Sequence, residues 1–269
     1  GLIKYFLIIF FIANASSQDK LFTIIDPDQT GIHFSNDLID TKENNVFLYA
    51  NFYGGAGVGV GDFDNDGLDD LFFAGNLVDD KIYKNLGNLK FQDKTPNSGI
   101  INDSSWSTGV TVADVNNDGL LDIYVSCELY DDQPKLRTNK LYINKGNFKF
   151  EELAAEWNVD VDRRTRHAVF FDYNKDGLLD LYLLNHPPNT GNFSPFLGTD
   201  MKLPEYNLQL FENKEGFFED VTAKSGLDRS GFPNAAVIGD FNKDGWPDIY
   251  VANDFEVPDF LYYNNQDGT

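Results

Sequence analysis

The sequence holds 269 residues, of which 43 are acidic and 21 are basic, so its formal net charge is −22. This balance argues against nucleic acid as a partner, because binding to phosphates depends on lysine and arginine. Cys127 is the single cysteine, which excludes a disulfide within the chain. Because Cys127 follows a predicted strand, we expect it to be a small buried hydrophobic residue.

The N-terminal residues have the pattern of an export signal. Residues 2–12 are almost wholly apolar, and Ala13, Asn14 and Ala15 supply a small-x-small cleavage site. We therefore assign residues 1–15 to a signal peptide and expect an extracellular, cell-surface or periplasmic protein; a core strand is the alternative. The apolar run is shorter than the roughly 20 residues that a transmembrane helix needs, and we predict no membrane span elsewhere.

Four copies of one acidic signature follow along the chain. Each copy has Asp at positions 1, 5 and 9, Asp or Asn at position 3 and Gly at position 6. Hard cations such as Ca²⁺ take about six to eight oxygen ligands, and glycine permits the positive φ of a tight turn. We predict about four calcium ions, bound by the side chains at positions 1, 3, 5 and 9 and by the main-chain carbonyl of position 7. The predicted ligands are Asp62, Asp64, Asp66, Leu68 and Asp70; Asp114, Asn116, Asp118, Leu120 and Asp122; Asp172, Asn174, Asp176, Leu178 and Asp180; and Asp240, Asn242, Asp244, Trp246 and Asp248.

The residue at position 12 argues against an EF-hand. That loop begins with a similar pattern but needs a bidentate Glu at position 12. Apolar residues occupy position 12 in all four copies, and a dockerin-like loop fails for the same reason. The four residues are Phe73, Val125, Leu183 and Val251.

Short apolar segments surround every loop and predict β-strands. They are rich in β-branched and aromatic residues and are bounded by Gly, Asn and Asp, so each loop should join two strands of an antiparallel hairpin. A third apolar segment ending in Asn follows each hairpin, and a fourth segment follows in the first three repeats. Four-stranded units that recur at roughly 50–70 residues favour an all-β propeller over 16–269. The repeats lie at about 50–100, 101–159, 160–227 and 228–269.

Recurring aromatic positions predict the packing between these units. Tyr83, Tyr142, Phe211 and Tyr262 occupy equivalent places in the third segments. We expect them to form the core between blades rather than a platform for sugars. We expect the same of the residues at position 2 of the loops, which are Phe63, Val115, Tyr173 and Phe241.

The segment 59–67 with Asp70, its three sister loops, and segments such as 218–222 and 261–265 resemble the FG-GAP/VCBS repeats of integrin-α-type propellers. The resemblance covers roughly residues 20–269 and is closest to secreted ASPIC/UnbV-type (cartilage acidic protein-like) proteins. It implies a propeller, mostly seven-bladed in this family, with one structural calcium ion per loop. It also implies further blades and a C-terminal domain in a full-length parent protein; a closed four-bladed ring is the alternative, since propellers have about four to eight blades.

Two classes of function remain open at the level of sequence. One is a non-enzymatic module for adhesion or for recognition of a protein or glycan, which fits the lack of any recognisable catalytic motif. The other is a hydrolase or lyase acting on extracellular polysaccharide, which would need a cluster of His, Arg or carboxylate side chains in the channel. The only histidines are His33, His167 and His186, and a catalytic pair of carboxylates among the many Asp residues is a further alternative. The insertion 186–207 is our first choice for a ligand-contacting loop. The basic cluster 163–167 is either an anion site or a rim segment that balances nearby acids.

Overall fold

The chain folds almost wholly as β-sheet. The computed structural model describes residues 21–49, 51–101, 103–129, 134–187, 203–254 and 257–267. The predicted signal peptide (residues 1–15) and most of the insertion 186–207 lie outside these ranges. Helices in the described ranges are limited to α1 (Pro27–Thr30), α2 (Pro134–Arg137) and a 3-10 turn at Pro204–Tyr206.

The strands form four antiparallel sheets, each built from strands that are consecutive in sequence. Three sheets have four strands, and the fourth sheet has three strands in the described residues. The first sheet holds β1 (Val58–Gly61), β2 (Asp70–Phe73), β3 (Lys81–Asn85) and β4 (Phe91–Asp93). The second holds β5 (Ser107–Ala113), β6 (Asp122–Cys127), β7 (Lys140–Asn144) and β8 (Phe150–Glu152). The third holds β9 (Thr165–Phe171), β10 (Asp180–Asn185), β11 (Gln209–Asn213) and β12 (Phe218–Asp220), and the fourth holds β13 (Pro233–Gly239), β14 (Asp248–Asn253) and β15 (Phe260–Tyr262).

Each acidic loop closes the hairpin between the first two strands of its sheet, as the sequence predicts. Gly61 pairs with Asp70 in the first sheet, and Ala113 pairs with Asp122 in the second. The Asp at position 9 is therefore the first residue of the second strand in each hairpin. This register brings that carboxylate back beside the residues at the start of the loop.

Hydrophobic clusters join each sheet to the next. Phe63 of the first sheet packs with Phe150 of the second at a ring-centroid distance of 5.9 Å. Two further clusters join the second sheet to the third and the third to the fourth. Cys127 lies fully buried in the cluster between the first and second sheets, which confirms the prediction that it is a small buried hydrophobic residue.

The predicted packing residues follow this arrangement with two exceptions. Tyr142, Phe211 and Tyr262 lie in or against the clusters that join sheets, as expected. Tyr83 is also buried, but it packs against Phe73 of its own sheet, with ring centroids 5.8 Å apart, and belongs to none of the clusters formed by the described residues. At position 2 of the loops, Phe63, Val115 and Tyr173 are buried between successive sheets. The prediction is wrong for Phe241, which is 46% exposed. Its three counterparts are each covered by the following sheet, whereas the described residues place no sheet after the fourth.

The first strands of the four sheets lie side by side along one cavity. Residues at the beginning of β1, β5, β9 and β13, or just before them, line this cavity of about 350 Å³, which we call the inner cavity. Each of these inner strands lies at one edge of its sheet, and successive inner strands contact each other. The architecture is all-β with four successive antiparallel sheets, which is compatible with a β-propeller.

Candidate metal centre

Glycine at position 6 sets the turn of each acidic loop. The four glycines have φ between +85° and +89°, a region that side chains disfavour. The residue at position 4 also has positive φ, near +55° for Asn65 and Asn117. These two left-handed residues, on either side of the Asp at position 5, fold the loop back on itself, so that its side chains can turn toward one centre.

The Asp at position 1 holds the loop through its two oxygen atoms. Asp62 Oδ1 accepts the main-chain N–H of Asp66 at 3.0 Å, and Asp62 Oδ2 accepts the N–H of Gly67 at 2.7 Å. The same two bonds recur in the other three loops at 2.8–3.1 Å. The loop conformation is thus specified by the chain itself, which lowers the entropy that a bound cation would have to overcome.

The Asp at position 9 is buried beneath each loop. Asp70 Oδ2 accepts the N–H of Phe63 at 3.0 Å, and Asp70 Oδ1 accepts the N–H of Asn85 at 2.7 Å. Burial nevertheless raises the pKa of Asp70 to about 6 and the pKa values of Asp122 and Asp180 to about 7. Burial thus makes ionisation of these carboxylates costly, and a divalent cation would offset that cost.

Three carboxylates converge in the first loop. One oxygen each from Asp62, Asp64 and Asp70 lies within 4.8 Å of the other two. Asp64 Oδ1 is buried and has no hydrogen-bond partner, although Lys84 Nζ contacts Asp64 Oδ2 and lies 2.7 Å from Asp66 Oδ2. An unpaired buried oxygen costs about 1–3 kcal/mol or more for a charged group. The donor set of oxygens and this unsatisfied atom both fit a hard cation such as Ca²⁺.

The other three loops hold an Asn at position 3 and do not bring three acids together in the described residues. In the second loop, Asn116 Oδ1 accepts the N–H of Asp118 at 3.0 Å, and Asn116 Nδ2 donates to Asp118 Oδ2 at 2.9 Å. Asn174 and Asn242 make the same pair of bonds. In these three loops the amide of Asn at position 3 therefore bonds the Asp at position 5, whereas in the first loop Lys84 bonds that Asp. The three loops also carry less negative charge than the first loop.

Position 7 is held in place by its own N–H group. That group donates to an oxygen of the Asp at position 5 at 2.8–3.0 Å in every loop. The carbonyls of Leu68, Leu120, Leu178 and Trp246 remain predicted ligands.

Two known repeat families match parts of the chain that contain these loops. The FG-GAP-like repeat matches residues 36–125, and the FG-GAP repeat matches residues 232–269. The chain therefore contains FG-GAP repeats. The matched ranges contain the first, second and fourth acidic loops. The third loop lies outside both ranges, yet it has the same hydrogen-bond frame, so the structure identifies it as a further repeat of the same kind.

Relatives of this FG-GAP protein share low sequence identity with it. Cartilage acidic protein 1 of Xenopus tropicalis is 22% identical over 250 residues, which cover 91% of this chain and 36% of the relative. Cartilage acidic protein 1 of Homo sapiens is 21% identical over 205 residues, covering 75% of this chain and 28% of the relative. The chain thus spans about a third of the length of these relatives. The V. cholerae biofilm matrix protein Bap1 aligns with a TM-score of 0.35 at 16% identity, covering 76% of this chain and 26% of that one, a likeness too weak to support an argument.

An asparagine at the end of the third strand, or two residues beyond it in the fourth sheet, secures every FG-GAP loop, a role that the sequence analysis missed. Asn144 Nδ2 donates to the carbonyl of Leu121 in its own loop at 3.0 Å and to the carbonyl of Phe63 in the preceding loop at 2.9 Å. Asn213 and Asn264 make equivalent bonds to their own loop and to the preceding one. The signal was present in the sequence, because all four third segments end in Asn, but only the fold shows that the amide bridges two sheets.

The FG-GAP loops also contact each other edge to edge. Asn65 Nδ2 donates to the carbonyl of Gly119 at 3.0 Å, and Asn117 Nδ2 donates to the carbonyl of Gly177 at 3.3 Å. Lys175 continues the series, with its Nζ 4.5 Å from the centroid of the Trp246 ring. The four loops therefore form one continuous row, in which position 4 of each of the first three loops contacts the next loop.

Other predicted features of this FG-GAP chain are only partly described. Residues 188–202 of the insertion lie outside the described ranges. In the basic cluster, Arg163 Nη1 donates to the carbonyl of Pro204 at 2.9 Å, whereas Arg166 pairs with Glu128. None of the described helices has the length and apolar character that crossing a membrane requires.

Proposed function

We propose that this chain is a calcium-stabilised β-propeller module that is exported and acts in adhesion or ligand recognition. The observation that carries the proposal is the repeated loop, in which a self-supporting turn holds several acidic side chains above a buried Asp at position 9. In the first loop, Asp64 Oδ1 is buried without a hydrogen-bond partner, although Lys84 contacts the other oxygen of this carboxylate. The FG-GAP matches and the cartilage acidic protein relatives support an extracellular, integrin-like module.

Calcium has a structural role in this proposal. When bound, it supplies positive charge to the carboxylates at positions 1, 5 and 9, and at position 3 of the first loop, with about one ion per loop. A ligand that binds only the folded state stabilises it by about 2.7 kcal/mol per site at a concentration of 100 times Kd. Because the loops contact one another and the buried Asp at position 9 contacts the third strand, stabilisation of a loop extends to its blade.

The four sheets are proposed to be blades of a larger, seven-bladed ring. The support is the resemblance to integrin-α-type propellers together with the shared cavity of the four inner strands. In a parent protein of that type, further blades and a C-terminal domain would complete the assembly.

A non-enzymatic role is part of the proposal. The three histidines have different surroundings: His33 lies 4.0 Å from Asp28 on the surface, His186 is buried against the Pro233 carbonyl at 3.0 Å, and His167 lines the inner cavity. No described contact joins one histidine to another. The proposed partners are a protein or a glycan, and an assay for release of reducing ends from acidic polysaccharides would reveal the alternative lyase or hydrolase activity.

Calorimetric titration of calcium tests the central claim. We expect about four ions to bind the metal-stripped protein and the melting temperature to fall markedly in EGTA. A circular dichroism spectrum of the same sample controls for folding. A folded β-spectrum with no calcium heat and no thermal shift would overturn the assignment of the loops as metal sites.

A further inference from the structure

The inner cavity lies at the end of the sheets that is remote from the metal loops. It is lined where β5, β9 and β13 begin and just before β1, whereas the loops follow the far ends of these strands. With about 3.3 Å per residue, the five residues from Gly109 to Ala113 place the loop acids roughly 15–20 Å away. Ionic screening at physiological salt acts over about 8 Å, so the loop charges contribute little to the potential at the cavity.

Arg166 is the single charged residue among those described that line this cavity. Its Nη1 donates to Glu128 Oε1 at 2.8 Å, and its Nη2 and Nε make no hydrogen bond with the described residues. A guanidinium has five N–H donors in a planar fork. Most of these donors remain available on a side chain that is partly exposed to the cavity.

A buried network fixes the guanidinium in place. The Glu128 side chain is 2% exposed and accepts a second hydrogen bond from the Tyr49 hydroxyl. Tyr49 packs edge-on against Trp106, with ring centroids 5.2 Å apart. Because Tyr49 holds Glu128 and Glu128 holds Arg166, the guanidinium has a fixed orientation. A guanidinium fixed in this way loses less conformational entropy on binding a ligand than a mobile surface side chain does.

Glycines form the walls around this fork. A Cβ at Gly54 would lie 3.2 Å from Arg166 Nη2, and one at Gly57 would lie 2.7 Å from the main-chain nitrogen of Val110. A Cβ at Gly109 would lie 3.2 Å from His167 Nδ1. Burial lowers the pKa of His167, so the imidazole is neutral at pH 7 and can donate or accept a hydrogen bond. Glycine backbone therefore forms much of the cavity wall beside Arg166 and His167.

We propose that the cavity binds a carboxylate group through the free N–H donors of Arg166. Bidentate pairing with a planar carboxylate is the geometry that a guanidinium favours. The carboxylate belongs either to a free small acid or to the side chain of an acidic peptide. The proposal names a ligand class for the recognition role proposed above and rests on that role, whereas the calcium loops are tested independently by calorimetry.

Titration of the full chain, in calcium and at constant ionic strength, tests the proposal. The probes are glutarate and a capped peptide with one glutamate, and the readout is the NMR amide signals of ¹⁵N-glycine-labelled protein. We expect saturable shifts confined to the cavity glycines, Gly54, Gly57 and Gly109 among them. Saturation by glutarate alone identifies a free acid as the ligand, and saturation by the peptide identifies a side chain.

Three variants give predictions of different sign. Arg166→Met should weaken binding at least about tenfold, the loss of a charge-assisted bidentate pair. Glu128→Gln should tighten it several-fold, because the competing carboxylate is removed while the arginine stays. Arg163→Met, which removes an arginine that does not line the cavity, should leave affinity unchanged.

The outcomes that overturn the proposal are distinct from failure of folding. No saturable shift with either probe in the wild-type chain would overturn it, as would equal affinity in wild type and Arg166→Met. If Arg166→Met unfolds because Glu128 is left unpaired, the double variant Arg166→Met/Glu128→Gln removes both charges and should fold without binding. Calcium heats measured on the same samples separate this result from the test of the metal loops.

Discussion

Replacement of Asn144 by alanine should reveal how strongly the sheets are joined through their metal loops. Asn144 is fully buried, and its side chain makes three hydrogen bonds: to the carbonyls of Phe63 and Leu121, and from the N–H of Gly146 at 2.9 Å. Its main-chain N–H donates to Asp122, and that bond survives in alanine. The variant therefore removes the side-chain bonds while keeping the hairpin register.

The size of the effect follows from the count of bonds. Each buried hydrogen bond contributes about 1 kcal/mol net, so the loss for Asn144→Ala should be about 3 kcal/mol. For a chain of this size that corresponds to roughly 2–4 °C per kcal/mol in melting temperature. Urea unfolding at saturating calcium, followed by circular dichroism, gives the free energy directly.

Asn85 offers a matched control. It occupies the same place in the first sheet and bonds its own loop, donating to the carbonyl of Asp69 at 2.8 Å and accepting from Gly87 at 2.9 Å. No described bond joins it to a preceding loop. Asn85→Ala should therefore lose about 1 kcal/mol less than Asn144→Ala. Equal losses in the two variants would refute the idea that the amide stabilises the contact between sheets.

Three further predictions concern single residues. Burial raises the pKa of Asp80 to about 6, so the folded state binds the proton more tightly than the unfolded state does. The free energy of unfolding should therefore fall by up to about 3 kcal/mol as pH rises from 4 through 6. Urea unfolding across that range should show a smaller fall for the variant Asp80→Asn, whereas the control variant Asp79→Asn should show the same fall as the wild type. Burial raises the pKa of the Cys127 thiol to about 12, so a thiol reagent should label the native chain slowly and the urea-unfolded chain at once; fast native labelling would contradict the packing described here. Asp118→Ala should reduce the calcium stoichiometry by one ion in calorimetry, and an unchanged count would remove Asp118 from the ligand set.

Local patterns made the fold class predictable. The acidic signature specifies its own turn, since the glycine at position 6 and the carboxylate at position 1 act within five residues of each other. Alternating apolar segments on both sides predicted the hairpins, and their recurrence predicted sheets built from consecutive strands. Interactions of this short range depend little on the rest of the chain, so the four loops and most strands were found where the sequence placed them.

Contacts between residues far apart along the chain could not be predicted from the sequence. Asn144 reaches Phe63 across 81 positions, and Arg166 reaches Glu128 across 38. The exposure of Phe241, whose counterparts are buried, depends on whether a sheet covers it. The sequence by itself determined the repeated acidic turns and the strands that flank them, because short-range hydrogen bonds and backbone preferences encode both. Only the tertiary structure decided which side chains join one sheet to the next and which one faces the inner cavity, because those contacts exist only once the sheets have packed together.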